Sequence, residues 1–319
     1  MKKQQIKTLA ILAAIAVVLG VLLAILSYDP SAKSLPPLVE LSAKEIDQLV
    51  FTSNTANINL QRQNGQWQLL IDDITLPANQ ELVEGIVRQL CDVRPQQQLD
   101  ALDPELMPMI VRQATIDILS GGGTEQVKAS QQIIIGSMNA VTDQLYVQIG
   151  QQLYLTDTAL MKLFPASELE LAQQDEIPRP ENQKQVRISN PLGSILLSCV
   201  GSQTGGQDGT WYAQTASGWV EADQSLAYNF YFLTWDMRFK ATVGCVSRES
   251  ELAAYGLDIP QVRYTLTYGE ETFDLILGDD LPDGTTYAMR VGSPLVYTMD
   301  SLLADWLAQA TAESALPQS

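Results

Sequence analysis

The apolar positions of this chain fall mostly into short alternating runs separated by turn residues. The pattern is clearest from Tyr255 to Leu307. Val262, Tyr264, Leu266 and Tyr268 alternate with polar neighbours, the period of a half-buried strand. Gly269-Glu270 supplies a turn, and residues 272–277 return and end at Gly278. Residues 285–291 and 295–299 form a second pair around Gly292-Ser293. Asp300 or Ser301 then caps a helix expected to run to Ala310, with Leu302, Leu303, Trp306 and Leu307 at helical spacing.

The same reading applies upstream. Residues 46–52 and 58–62 are expected strands, and Asn64-Gly65 is a strong hairpin signal before residues 66–70. Asn79 caps a helix to about Val93 with Leu82, Ile86, Val87 and Leu90 facing the core, and Pro95 ends it. Strands follow at 114–119, 131–135, 145–149 and 153–156, and Asp157 opens a short helix through Phe164. After a polar stretch with two prolines, residues 173–182, strands return at 185–189 and 194–200. Trp211-Tyr212, Gly218-Trp219-Val220 and a helix from about Asp223 to Met237 complete the series.

These landmarks repeat. Trp67 and Trp211 stand 144 positions apart, as do Ala78-Asn79-Gln80 and Ala222-Asp223-Gln224, and Arg94 and Arg238. Ile135-Gly136 and Leu277-Gly278 are 142 apart, Tyr146 and Tyr287 141, and Tyr154 and Tyr297 143. Ordered matches at one domain-sized period indicate a duplicated unit.

Ahead of both units, Lys2, Lys3 and Lys7 precede an uncharged run from Thr8 to Leu26. At about 1.5 Å per residue such a run crosses a hydrocarbon core of about 30 Å, and the basic flank holds its side in the cytoplasm. A cleaved signal peptide competes with this reading. Against it stand the length of the run and the lack of a clear small-residue cleavage site or lipobox cysteine. The expected organisation is a cytoplasmic tail (1–7), a transmembrane helix (8–27), a spacer (28–44), a first unit (45–166), a linker (167–183), a second unit (184–313) and a tail (314–319). The fold class is α+β: two similar mixed sheet-and-helix domains behind an N-terminal transmembrane helix, with the bulk extracytoplasmic.

Composition narrows the chemistry. The chain has 319 residues, 46% hydrophobic and 18% charged, with a net charge of −18. Without the three N-terminal lysines, 16 basic residues face 37 acidic ones, a net −21. Such a surface repels nucleic acid. There is no histidine, which removes the commonest general base and metal ligand and excludes Ser-His-Asp and Cys-His mechanisms within the chain. Cys91, Cys199 and Cys245 allow one bridge at most and read as small buried hydrophobes.

Three places carry a family resemblance: Tyr255-Gly256-Leu257-Asp258-Ile259-Pro260, Ile276-Leu277-Gly278, and Thr286-Tyr287-Ala288 with Val296-Tyr297. With Gly65-Gln66-Trp67 and Gly209-Thr210-Trp211 they resemble the domain-of-unknown-function family DUF4340 over nearly all of the chain after Leu38. In the first unit Leu102-Asp103-Pro104 replaces the YGL pattern. The resemblance implies an N-terminal membrane helix and brings no agreed catalytic residues. It also implies a setting beside an ABC-type transporter or another envelope protein.

Other motifs favour ordinary roles. Gly121 to Gly123 and the glycine-rich residues 201–209 lack the lysine and helix start of a phosphate loop. Asp279-Asp280 with Asp283 lacks the calcium-loop spacing and reads as a solvated turn, as does Asp72-Asp73. The five tryptophans, Trp67, Trp211, Trp219, Trp235 and Trp306, lie in apolar patterns that favour core packing over a sugar platform. The helix with Tyr228, Phe230, Tyr231, Phe232 and Trp235 is aromatic on more than one face, and Tyr228, Tyr231 and Phe232 are its candidate interaction surface.

No catalytic, metal or cofactor site is expected. The functional expectation is a non-enzymatic, membrane-anchored binding or scaffolding protein contacting the bilayer through 8–27. The alternative is an extracytoplasmic hydrolase acting on glycans through two carboxylates about 5–10 Å apart. The topology is testable: protease added to spheroplasts is expected to digest both units, and full protection overturns the orientation.

Overall fold

The computed structural model describes residues 35–99, 111–121, 129–179, 183–201 and 209–317. The expected tail (1–7) and transmembrane helix (8–27), and Leu102-Asp103-Pro104, lie outside them. Among the described residues no helix is long and apolar enough to cross a membrane.

The first unit contains β1 (Gln48–Ser53), β2 (Asn57–Gln63), β3 (Gln66–Ile71), β4 (Ile74–Pro77), α1 (Gln80–Asp92), β5 (Gln97–Leu99), β6 (Ala114–Ser120), β7 (Ala129–Asn139), β8 (Gln144–Ile149) and β9 (Gln152–Thr156), then 3-10 turns at Thr158–Leu163 and Glu168–Leu171. The second contains β10 (Gln183–Asn190), β11 (Gly193–Val200), β12 (Thr210–Thr215), β13 (Gly218–Glu221), α2 (Gln224–Asp236), β14 (Ala241–Cys245), a 3-10 turn at Glu249–Tyr255, β15 (Val262–Tyr268), β16 (Glu271–Asp280), β17 (Thr285–Arg290), β18 (Leu295–Asp300) and α3 (Ser301–Ala308).

The two halves have one topology. The first sheet runs β4-β3-β2-β1-β6-β7-β8-β9-β5, and the second runs β13-β12-β11-β10-β15-β16-β17-β18-β14. In each, four strands form a meander, the helix carries the chain to the far edge, and one short strand pairs there. The next strand then enters beside the first, and a second meander completes the sheet. Every pairing is antiparallel. The expected sheet-and-helix domains are therefore mostly strand, with helix as a minor cover.

The registers also match. Phe51 pairs with Ile58 and Ile116, and Ile188 pairs with Ile195 and Tyr264. All six side chains are buried. Val147 pairs with Tyr154 as Ala288 pairs with Tyr297. Both sheets carry a register shift at the same place, between Ile135 and Met138 and between Leu277 and Asp280.

Each helix is started by the same clamp. The side chain of Gln80 accepts from the Trp67 backbone N–H (2.8 Å) and donates to the carbonyls of Trp67 (2.9 Å) and Ala78 (2.7 Å). Gln224 does the same with Trp211 (3.0 Å each way) and Ala222 (2.8 Å). The residue before each glutamine, Asn79 or Asp223, caps the helix by accepting from Leu82 or Leu226. Each clamp fixes the helix to the strand whose tryptophan fills the core beneath it; Trp67 and Trp211 are 0% and 1% exposed.

Some sequence expectations need correction. Val83, not Leu82, joins Ile86, Val87 and Leu90 in the buried stripe of α1; Leu82 is 43% exposed. Its helical phase places it one position outside the 83-86-87-90 stripe. Leu302 is likewise exposed, and Ala304 and Leu307 are the buried positions of α3, which ends at Ala308 rather than Ala310. Leu38 and Val39, expected in the spacer, are buried in the first core, and the Leu38 N–H donates to Val93. Leu171 and Ala172, expected in the linker, belong to that core too, and Ala315 of the expected tail is buried in the second. These last residues close their units in the same way: the Leu171 and Ala315 carbonyls accept from Asn79 and Asp223.

The motif residues Tyr255-Gly256-Leu257 and Gly278 meet in space. Gly256 has φ +65°, the left-handed conformation that ends the 3-10 turn. A Cβ on Gly278 would stand 2.0 Å from the Tyr255 carbonyl oxygen. The bulge in β16 therefore receives the YGL backbone directly, and only glycine fits. We expect Gly278→Ala to cost roughly 3 kcal/mol. Gly85→Ala, in α1 where a Cβ meets nothing within 4 Å, is expected to gain about 0.5–1 kcal/mol. Urea denaturation of the two variants checks both signs.

Candidate functional site

The two units are docked through β18. Strand geometry sends alternate side chains to opposite faces. Leu295 and Tyr297 point into the core cluster of the first unit, and Phe239, Cys245, Ile71, Ile74 and Leu169 pack against that cluster. Phe239 stacks on Tyr297 with ring centroids 3.9 Å apart and planes 16° apart. The Glu168–Leu171 turn lies against β14. The other face of β18 is covered as well, since Val296 joins Val246 and Leu257 in a separate cluster.

A polar clasp closes the same contact. The Asp175 backbone N–H donates to the Tyr297 hydroxyl (2.8 Å), and that hydroxyl donates to the Asp175 carboxylate (2.9 Å). Arg290 adds an ion pair to Asp175 at 3.6 Å. The stretch expected as a free linker is thus held at both ends: Gln173 donates to the Pro77 carbonyl of the first unit, and Ile177 packs on the second core.

Beside this junction the second unit carries two clefts that share Met237 and Arg238. One, about 510 Å³, lies between residues 174–179 and Met237, Arg238 and Phe239. The other, about 500 Å³, lies between the end of α2 and the start of α3, lined by Met237, Met299, Leu303 and Trp306 with Asp236, Lys240 and Asp300 at its rim. Phe230, 1% exposed, stacks on Trp306 at 4.6 Å and forms a wall between the two helices. In the first unit the equivalent positions hold the smaller Ile86 and Leu163, and a cleft of about 590 Å³ opens there, flanked by Leu82, Arg88 and Lys162.

The candidate residues of α2 fall differently. Tyr228 is exposed and packs against Phe232 at 4.4 Å. Phe232 is half-buried on the second core and touches Trp235 at 5.8 Å. The side chain of Tyr231 lies outside the described ones. Trp67 and Trp211 pack in the cores as expected, but Trp219, Trp235 and Trp306 are 49%, 40% and 36% exposed. The buried stripe of α2 runs through Ala227, Phe230, Leu233, Thr234 and Met237, which turns Trp235 outward. Trp235, Leu302 and Trp306 were missed as surface residues because a helical apolar pattern does not say which side a second element covers. Cys91, Cys199 and Cys245 are unbridged and half-buried, and burial pushes the Cys91 and Cys245 thiols up.

The rim is electrostatically settled. Asp300 accepts from the Leu302 N–H at 3.1 Å and from Lys240 at 3.3 Å, and these contacts hold its carboxyl below the usual range. In the aspartate-rich turn, Asp280 accepts from the Thr286 hydroxyl, and Asp283 accepts from the Thr285 N–H and hydroxyl. Among the described residues no group of three or more Cys, Asp and Glu is placed to hold a metal ion.

Together these features define a tandem pair of nine-stranded antiparallel units with a groove between two aromatic helices. Residues 236–314 match the sequence model of the family described as Domain of unknown function (DUF4340). The matched segment runs from the end of α2 past α3 and holds the groove, the YGL–glycine contact and the docking strand. No curated protein and no solved structure matches the chain.

The clasp has a pH signature. Burial raises the Tyr297 hydroxyl well above its ordinary value, as it does for Tyr264. The folded state therefore holds these protons more tightly than the unfolded chain. Their contribution is complete below about pH 10 and is lost as pH rises toward the folded values. Tyr297→Phe is expected to cost about 1–3 kcal/mol at neutral pH and to flatten part of the alkaline decline, as read from urea midpoints between pH 7 and 11.

Proposed function

We propose that the protein is a non-enzymatic, single-pass membrane-anchored module that holds a partner at the extracytoplasmic face of an envelope or transport complex. The observation that carries this reading is the surface around the α2–α3 groove. There Leu302 and Trp306 are exposed on the lining of an apolar cleft in the family-matched segment, and α2 exposes Tyr228 and Trp235 as well. Exposed aromatic clusters beside a groove are typical of protein contact sites.

The carboxylates near the junction support the same reading. Asp175 is committed to the clasp and Asp300 to a helix cap and Lys240. The cap and Lys240 favour the ionised form of Asp300, whereas a glycosidase general acid needs its carboxyl raised.

The apolar run from Thr8 to Leu26, flanked by lysines, supplies the anchor. A short tether confines the units near the bilayer and raises the effective concentration for a membrane-bound partner without demanding high intrinsic affinity. By family resemblance the partner is an ABC-type transporter or another envelope protein.

The test is complementation of a deletion strain. Full-length protein is expected to complement; residues 30–319 released as a soluble protein are expected to fold but lose most of the activity. Trp235→Glu with Leu302→Glu, both outside the core, is expected to reduce complementation while shifting stability by less than about 1 kcal/mol. Full complementation by the soluble form overturns the anchoring role. Turnover of a glycan by the purified units, abolished by changing one carboxylate, replaces the module with an enzyme.

A further inference from the structure

The two sheets end differently at their β4 and β13 edges. The Ala78 N–H donates to the Trp67 carbonyl and the Ala222 N–H to the Trp211 carbonyl, which sets the hydrogen-bonding phase of both edge strands. Residues 74 and 76, and 218 and 220, therefore face the neighbouring strand, while 75 and 77, and 219 and 221, turn their backbone groups outward.

In the first unit that outward edge is closed. Pro77 has no N–H to offer, its carbonyl accepts from Gln173 at 2.8 Å, and Ala78 forms a bridge with Ala172. In the second unit both closing devices are replaced. The equivalent of Pro77 is Glu221, which carries an outward N–H. The equivalent of Gln173, two residues past the carbonyl that meets the helix start, is Pro317, which has no N–H with which to reach the edge.

All four residues of β13 are exposed, with Trp219 at 49% and Val220 at 42%. At the position equivalent to Val220, Leu76 is 4% exposed. Edge strands of this kind are normally protected by proline, lysine, a bulge or a covering segment. Among the described residues β13 has no proline, lysine or bulge, and the closing segment hydrogen-bonds the chain at Asp223, past the end of β13.

We propose that β13 is a strand-addition site that takes an extended segment of a partner protein in which apolar and basic residues alternate. The first unit shows what the edge accepts, since there an extended piece of backbone lies along it. Trp219 and Val220 present apolar surface on opposite faces of the strand. The charge of the chain, −18, and Glu221 on the edge itself select a basic partner over an acidic one. The same charge acts against a second copy of this chain, and pairing four residues buries too little surface to offset it. Backbone hydrogen bonds supply affinity in such contacts, and side-chain alternation supplies specificity. The site is separate from the α2–α3 groove and does not depend on its role.

The test uses the folded two-unit protein and a capped nine-residue peptide of alternating valine and lysine, followed by calorimetry. The expected result is saturable, salt-sensitive binding. Glu221→Pro installs the residue that the first unit carries at the same position, so the sheet is expected to fold. It removes one outward donor and is expected to weaken binding at least about tenfold. Trp219→Lys, which keeps the backbone donors but adds a charge that repels the peptide, is expected to weaken it too, while Leu302→Glu leaves it unchanged. Absence of binding at millimolar peptide overturns the proposal, as does equal affinity in wild type and Glu221→Pro. A concentration-dependent dimer that Glu221→Pro abolishes overturns the choice of occupant and assigns the edge to a second copy.

Discussion

The architecture depends on β18 being buried on both faces. An antiparallel strand ordinarily turns one face to a core and the other to solvent. Here Leu295 and Tyr297 reach into the first unit while Val296 is covered by the segment around Leu257. Because Tyr297 carries a hydroxyl into this contact, the contact has to supply a polar partner, and Asp175 provides both an acceptor and a donor. A short stretch between the units thereby becomes part of the packing. The orientation of the α2–α3 groove relative to the first unit follows from it.

A second constraint lies inside the second sheet, where a glycine admits a close backbone approach. Gly278 sits at the bulge where Tyr255 crosses, and a Cβ on Gly256 would meet Asp279. The family motif is therefore a contact between two distant pieces of chain. It names an architecture and no chemistry, which fits a motif built of turn and core positions.

Much of this fold was legible before any coordinates. Alternation placed the strands around Leu49, Leu60 and Tyr264, Asn64-Gly65 placed a hairpin whose residues have φ +52° and +80°, and the spaced landmarks exposed the duplication. What escaped had a physical reason. Gln97-Gln98-Leu99 has no apolar alternation, because β5 is an edge strand held mainly by backbone bonds to β9. The strand at Ala241–Cys245 is broken by a register shift at Val243. The exposed Trp235, Leu302 and Trp306 follow a helical pattern, and only the packing of α2 against α3 decides which side of it meets solvent. The aromatic helix stood out in the sequence for its rings, but Trp235, 40% exposed, was not among the three singled out.

The docking surfaces on the two units are not copies of each other. Where the first unit presents Ile71, Ile74 and Leu169 to the junction, the second has Thr215, Gly218 and Glu313. Where the second unit inserts Leu295, the first has the exposed Gln152. A head-to-tail interface between duplicated units is heterologous, and repeating it on successive molecules builds an open filament. Here a third unit would meet a polar acceptor, and a preceding unit would find no leucine to insert. The chain thus carries its own chain terminator: the contact that joins two units within a molecule has no counterpart with which to polymerise.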